Sequence, residues 1–407
     1  MCRWAGAPPW CAWTSTSPWN PRRPTPMQGA ARPRRRRRSG WGTTPGSARP
    51  SPPSTTCWRG GARVVLCSHL GRPKGRRDPR FSLRQVVGDV QRLVGAPVVF
   101  SPETVGPVAQ AAARNAPPGA VVLLENTRFH EGEERNDPDL ARELAALGDL
   151  FVNDAFGAAH RAHASTVGVA RYLPAVSGLL LQREVEALSR LLDPEPPLVA
   201  VIGGAKVADK IGVLRQLLRR SQRLLLGGGM ANTFLAARGL DMGASLVERD
   251  HLAVAAELLA EARRLGVEVL LPTDLVVGEA FAPDTPHRTV DAASVPPGAM
   301  ALDIGPATVA AFAQALADAR TVFWNGPLGV SEWPAFAAGT AGVAKAVAGC
   351  GGFTVVGGGD SIAALRRLGL LAAVGHVSTG GGASLEFLEG RPLPGVACLQ
   401  DHVEDGR

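Results

Sequence analysis

Leu198-Val-Ala-Val-Ile-Gly-Gly-Ala-Lys-Val-Ala-Asp-Lys210 is the stretch around which this chain is arranged. Five apolar residues run into Gly203-Gly204, and Lys206 and Lys210 follow four positions apart. An apolar run of this length ending in a glycine turn predicts a buried parallel strand. The glycines let backbone come close to a ligand with no Cβ in the way. The lysine spacing places both ammonium groups on one face of a helix that starts at the turn. The chain has only four lysines, Lys74, Lys206, Lys210 and Lys345, among 44 basic residues. Two of the four within five residues point to a compact ammonium rather than a guanidinium fork. A strand, a glycine turn, a helix N-terminus and two ammonium groups make an anion site suited to phosphate. An ordinary strand-to-helix turn with solvated lysines fits the same letters, so this stretch alone leaves both readings open. The P-loop pattern GxxxxGK[ST] is absent.

Outward from it, the same design repeats. Short apolar runs occur at Arg63–Cys67, Pro97–Phe100, Ala120–Leu124, Leu150–Asn153, Arg223–Leu226, Glu268–Leu271, Met300–Asp303, Thr321–Trp324, Phe353–Val356 and His376–Ser378. Each is followed by a polar or glycine-rich turn and then an Ala/Leu/Arg stretch of helical spacing. Strands alternating with helices predict α/β architecture with doubly wound parallel sheets. Ligands of such sheets sit beyond the carboxyl ends of the strands, so the loops after each run carry the information. A continuous amphipathic stretch at 180–192 reads as one helix, ended by Asp193-Pro-Glu-Pro-Pro197. The organisation expected is a segment 1–58, a domain 59–179, a joining helix 180–192, a domain 193–384 and a C-terminal segment 385–407.

The loops differ between the halves. In the first, Ser68-His69-Leu70-Gly71-Arg72, Glu125-Asn126-Thr127-Arg128 and Ala155–Thr166, with His160, Arg161 and His163, carry histidine and arginine. Arg72, Arg128 and Arg161 at three strand ends suggest a pocket for a small multivalent anion, because the guanidinium fork matches carboxylate and phosphate. In the second half the loops carry glycine: Gly227-Gly228-Gly229, Asp303-Ile-Gly305, Asn325-Gly326-Pro327-Leu-Gly329 with Glu332 close behind, Gly357-Gly358-Gly359-Asp360-Ser361 and Gly380-Gly-Gly382. Such turns bring helix N-termini close to phosphates. Asp360, just before a helix, suits Mg²⁺, which takes one or two carboxylates plus substrate phosphates.

At 407 residues the chain is long enough for two or three domains, each with its own core. The formal charge of +8 is not spread evenly. Residues 1–58 hold ten arginines and no acid, so the remainder carries about −2 and does not read as a nucleic-acid binder. Six cysteines, with no CxxC and no His/Cys metal spacing, suit free thiols in a reducing, cytoplasmic setting. No apolar run approaches the length of a membrane span.

Taken together, SHLGRP, LLENTRFH, FVNDAFGAAHRAHAST, IGGAKVADKI, GGGMANTF, WNGPLGV, VVGGGDS and HVSTGGGASLEFLEG resemble the phosphoglycerate kinase family over about residues 61–402, in the family's order. The resemblance implies two doubly wound parallel-sheet domains joined by a hinge helix. It implies a monomeric, cytoplasmic, glycolytic phosphotransferase acting between 1,3-bisphosphoglycerate and ADP, with Mg²⁺, giving 3-phosphoglycerate and ATP. His69, Arg72, Arg128 and Arg161 match the family's phosphoglycerate ligands. Lys206, Lys210, Gly228, Gly305, Asn325, Gly326, Glu332, Gly358, Gly359, Asp360 and Ser361 match its nucleotide site, with the two lysines as catalytic groups and Asp360 at the metal. Ser331 stands where the family often has Phe.

Residues 1–58 depart from the family. They hold eleven prolines, six of the eight tryptophans and the run Arg34–Arg38, with no hydrophobic period. The family has here a first strand with a substrate-holding Asp-x-Asn element, then an arginine that stabilises the transferring phosphoryl group. Neither is present. The genetic code offers an account. Cys11–Trp19 can be written TGC GCG TGG ACT TCA ACG TCC CCC TGG. Prefixed by one C and shifted by one base, it reads L-R-V-D-F-N-V-P-L. Gly42–Trp58, treated likewise, permits D-D-T-R-I-R-A-A-L-P-T-I-H-H-L-L. Both are family sequence in the family's order, which suggests translation in the wrong frame up to about Trp58. On this reading residues 1–58 are an irregular segment that supplies no strand, because their prolines remove ladder donors. Two other readings of the whole chain are a catalytically dead nucleotide-binding relative and a nucleic-acid-binding protein that uses the arginine-rich segment.

Overall fold

The computed structural model describes residues 10–15, as backbone, and residues 61–399. The rest of 1–60, with the Arg34–Arg38 run, and residues 400–407 lie outside the described residues. The chain divides into two compact units. One takes residues up to Ala155, then Ala162–Leu179, and Cys398 onward. The other takes Phe156–Arg161 and Leu180–Ala397.

The first unit is built on β1 (Trp10–Ser15), β2 (Arg63–Ser68), β3 (Val98–Phe100), β4 (Val121–Leu123), β5 (Leu150–Asn153) and β6 (Ala175–Ser177). They form one parallel sheet in the order β3-β4-β2-β1-β5-β6. Alternation of side chains across the pleat builds two cores. Val64, Leu66, Val121 and Leu123 pack on one face with Leu83. Val65, Cys67, Val122 and Leu124 pack on the other with Phe151 and Leu144. Burial among these groups pushes the Cys67 thiol far up, so it stays protonated.

β1 corrects the expectation that residues 1–58 provide no strand. Trp10 pairs with Arg63 and Ser15 with Ser68, while Cys11–Thr14 pair with Leu150–Asn153 on the other side. The physical reason is local. Trp10–Ser15 contains no proline, so all its ladder donors remain, and Trp and Thr suit extended backbone. The slot between β2 and β5 offers two open rows of hydrogen-bonding groups, which a donor-complete six-residue strand can satisfy. It is the same stretch that, shifted by one base, reads as the family's first strand.

In the second unit the strands are β7 (Leu198–Ile202), β8 (Arg223–Leu226), β9 (Glu268–Leu270), β10 (Asp274–Gly278), β11 (His287–Asp291), β12 (Met300–Ile304), β13 (Thr321–Asn325), β14 (Phe353–Gly357) and β15 (His376–Val377). Six of them make a parallel sheet, β15-β14-β13-β7-β8-β9. All five residues of β7 are fully buried, as its unbroken apolar run predicts for a central strand. The remaining three form a separate antiparallel sheet, β11-β10-β12. Met300–Asp303, expected in the parallel series, belongs to this small sheet. β10 and β11 lack a short Asn-Gly or Asp-Gly turn and are followed by no long helix, so neither hairpin nor strand-helix signals marked them.

Helix Leu179–Leu192 buries Leu181, Glu184, Ala187, Leu188 and Leu191 along one stripe. Glu184 is wholly buried within the second unit. Its carboxylate accepts from the Thr379 amide at 2.6 Å and hydroxyl at 2.8 Å, and lies 2.9 Å from His376 Nε2. Burial opposes its ionisation, but His376 and Thr379 outweigh that and hold the carboxyl below its ordinary value.

Candidate functional site

In the second unit, the loops after β7, β13 and β14 converge at the carboxyl edge of the parallel sheet. Gly203 and Gly326 meet backbone to backbone: a Cβ on either would strike the other loop, Pro327 O in one case and Gly203 O in the other. Gly326 also has φ of +96°, which only glycine adopts without strain. The amide of Gly326 donates to Ser361 Oγ at 2.8 Å, tying the β13 loop to the start of helix Gly359–Arg367. Gly228 (φ +68°) and Gly358 (φ +86°) turn the chain into helices Gly229–Ala237 and Gly359–Arg367.

The lysines do not share a helical face as their spacing suggested. Residues 204–207 are a loop, Ala208–Lys210 is a single 3-10 turn, and the helix begins only at Ile211. Gly204 at φ +122° delays the helix, and the Glu248 carboxylate accepts from the amides of Val207 and Ala208. Lys206 is therefore exposed on the loop. Lys210, half-buried, reaches Asn325, bonding its side-chain oxygen and lying 3.4 Å from its carbonyl. Desolvation pushes the Lys210 ammonium down to about 8, against the pull of Asp209 and Asp360.

Beside this cluster lies a cavity of about 320 Å³, lined by Gly204, Gly228, Asn232, Asp303, Glu332 and Asp360 among others. Leu246, Leu275, Phe281, Leu302 and Leu328 give it an apolar wall. An apolar slot next to glycine turns and ammonium groups suits a nucleoside with its phosphates. Gly228, Glu332 and Asp360, expected from sequence, line it; Gly305 does not. Gly305 starts helix Pro306–Leu316, but Asp274 occupies that N-terminus, accepting from the amides of Ala307 at 3.0 Å and Thr308 at 2.7 Å. Among the described residues no group of three or more His, Cys, Asp or Glu could hold a metal by itself. Asp360 is a single exposed carboxylate at the cavity, a donor set that suits Mg²⁺ completed by phosphate oxygens and water.

Asp303 carries no sequence signal beyond its place in the Asp303-Ile-Gly305 loop. It is 3% exposed on the cavity wall and accepts from Gly339 N at 2.7 Å and Ile304 N at 2.9 Å. Burial raises its carboxyl to about 7, the two amides offsetting part of the cost. A folded-state value above the unfolded one makes a stabilising contribution that is complete below about 4 and lost as pH rises through 7. Stability should therefore fall by up to about 1.4 kcal/mol per pH unit between pH 4 and 7 from this residue. Asp303→Asn should flatten that slope in urea denaturation across the range; an unchanged slope would mean that Asp303 is ionised throughout.

In the first unit, the loop after β4 is fastened to the loop after β2. Arg128 Nη1 donates to Gly71 O at 2.9 Å, and its Nε lies 3.3 Å from a Glu134 carboxylate oxygen. Arg72 is exposed on the same β2 loop and His69 is partly buried in it. Arg161 belongs to the second unit, where its Nε donates to His160 Nε2 at 3.2 Å. Desolvation holds His160 below the ordinary imidazole value, so it accepts as a neutral ring; Glu386 opposes this and Arg161 adds to it.

The family model for phosphoglycerate kinase matches residues 53–391. The chain belongs to the phosphoglycerate kinase family. It is 58% identical to the phosphoglycerate kinase of Moorella thermoacetica over 342 residues, covering 84% of this chain and 87% of that one. To the Thermomicrobium roseum phosphoglycerate kinase it is 55% identical over 343 residues, covering 84% and 88%. The solved phosphoglycerate kinase from Coxiella burnetii is similar in structure at TM-score 0.75 and 41% identity, over 85% of this chain and 88% of that one. The Pyrococcus horikoshii enzyme gives 0.76 at 33% identity, over 86% and 89%. With the family come transferase and kinase chemistry, glycolysis and an ATP or ADP ligand. No helix among the described residues is long and apolar enough to cross a membrane.

Proposed function

We propose that the chain derives from an enzyme moving a phosphoryl group between 1,3-bisphosphoglycerate and ADP, and that as written it is impaired. The observation that supports the nucleotide assignment most is the meeting of Lys210, Asn325, Gly326 and Ser361 beside a cavity bearing Gly228, Glu332 and Asp360. ADP would place its base against the apolar wall and its phosphates toward Lys206, Lys210 and the glycine turns. Gly305 and Gly359 would border the site rather than line the cavity. Mg²⁺ would neutralise phosphate charge from Asp360. Phosphoryl transfer needs positioning and charge neutralisation rather than covalent chemistry, which is what these residues offer. His69, Arg72, Arg128 and Arg161 are the proposed phosphoglycerate ligands. The impairment rests on the absence from residues 1–58 of the family's Asp-x-Asn element and arginine. We place the enzyme in the cytoplasm as a monomer that binds no nucleic acid.

All the proposed nucleotide ligands lie between Leu198 and Ala383, so the chain as written should still bind MgADP. Calorimetry on a folded sample with no MgADP binding would sink the nucleotide assignment. In an enzyme with its frame restored, Arg128→Ala should lower kcat/KM for 3-phosphoglycerate, while ADP affinity stays within about twofold. Equal losses for both ligands would mean that the division of labour is wrong.

A further inference from the structure

Two buried side chains of the first unit are not accounted for by ligand binding. Asn126 is fully buried at the end of β4, and each of its polar atoms is committed. Its Nδ2 donates to Leu70 O at 2.8 Å and to Phe81 O at 2.8 Å, and its Oδ1 accepts from the Arg128 amide at 3.0 Å. One amide group therefore joins the loop that carries His69 and Arg72, the segment at Phe81, and the turn that carries Arg128. Glu133, 1% exposed, does the same for the next loop. Its carboxylate accepts from Ser165 Oγ at 2.5 Å, Ser165 N at 3.1 Å and Thr127 Oγ1 at 3.2 Å. It thereby fastens the Arg128 turn to the π-helical turn Ala164–Gly168, three residues after Arg161 in the chain. Burial pushes the Glu133 carboxyl above its ordinary value, and its bonds from Ser165 and Thr127, with Arg128 nearby, offset only part of that cost.

We propose that Asn126 and Glu133 are positioning residues that hold the β2 and β4 loops and the 163–168 turn in the spacing required to grip the phosphoglycerate anion. The proposal rests on the reading of His69, Arg72 and Arg128 as its ligands. A charged fork placed about 1 Å wrong loses much of its bidentate interaction, so the frame governs affinity without touching the ligand.

The test uses the full chain with Asn126→Asp, which keeps the acceptor and removes both donors, and Glu133→Gln as a gentler second variant. Calorimetry with 3-phosphoglycerate and separately with MgADP gives the affinities, and amide hydrogen exchange reports the loops. The result expected is faster exchange confined to residues 68–76, 126–130 and 163–168. It is accompanied by at least a tenfold weaker 3-phosphoglycerate affinity and a MgADP affinity within twofold of the parent. MgADP binding also certifies that the variant's second unit is folded. Loosened loops with unchanged 3-phosphoglycerate affinity would overturn the positioning role, as would unchanged exchange in both variants. Where the parent chain, lacking the Asp-x-Asn element, binds MgADP but not 3-phosphoglycerate, the same variants are compared in the frame-restored enzyme; no 3-phosphoglycerate binding there would overturn the ligand assignment, and the positioning role with it.

Discussion

Restoring the reading frame across codons 11–58 should raise kcat by about 10³-fold or more, the order by which an arginine finger accelerates phosphoryl transfer. The strand itself is not what the chain lacks, since Trp10–Ser15 already occupies the place between β2 and β5. The proposed deficit is chemical. Cys11–Trp19 contains no Asp or Asn, whereas the shifted frame gives the family's Asp-x-Asn, and Gly42–Trp58 gives its arginine. The family match begins only at residue 53, close to where the two frames would rejoin. Without the arginine, charge developing on the transferring group loses a donor at a place where water substitutes poorly. A coupled kinase assay on the chain as written and on its frame-restored counterpart decides the matter. Comparable kcat in both would refute the frame argument and redirect attention to other ligands within residues 1–58. Sequencing the encoding DNA over the same codons tests the cause independently of activity.

In the frame-restored enzyme, Lys210→Ala should lower kcat by about 30- to 1000-fold, equivalent to about 2–4 kcal/mol of transition-state stabilisation. The ammonium is already partly desolvated, so its field on a phosphate is stronger than that of a surface lysine. Its low value gives a second signature. The ammonium is charged below about 8 and is neutralised as pH rises through that value in the free enzyme. The log of kcat/KM for ADP should therefore fall with unit slope above about pH 8. Lys206→Ala, at an exposed position, should lower kcat without moving that inflection. A Lys210→Ala enzyme with near-parental kcat, or an unchanged inflection, would remove Lys210 from the reaction.

Much of this protein was legible as letters. The apolar runs located β5 and β8 to the residue and the other parallel strands of the second sheet within one or two, because a strand buried on both faces must be apolar throughout. The glycine turns marked the loops that meet at the carboxyl edge of the second parallel sheet, because the freedom to take positive φ and to admit close backbone is a property of the single residue. The strand at Trp10–Ser15 was hidden by the prolines around it, and its formation depends on the open edges of β2 and β5, which exist only once the sheet has assembled. The small antiparallel sheet had no local signal of its own. What only the tertiary structure decided are pairings across long stretches of chain. Lys210 finds Asn325 115 positions away, and Asn126 finds Leu70 56 positions away. Asp303 meets Gly339 from 36 positions away. The values near 8 for Lys210 and near 7 for Asp303 follow from that folding alone. Periodicity and backbone freedom are written residue by residue, whereas desolvation and hydrogen-bond partnership belong to a neighbourhood that the chain creates only by folding.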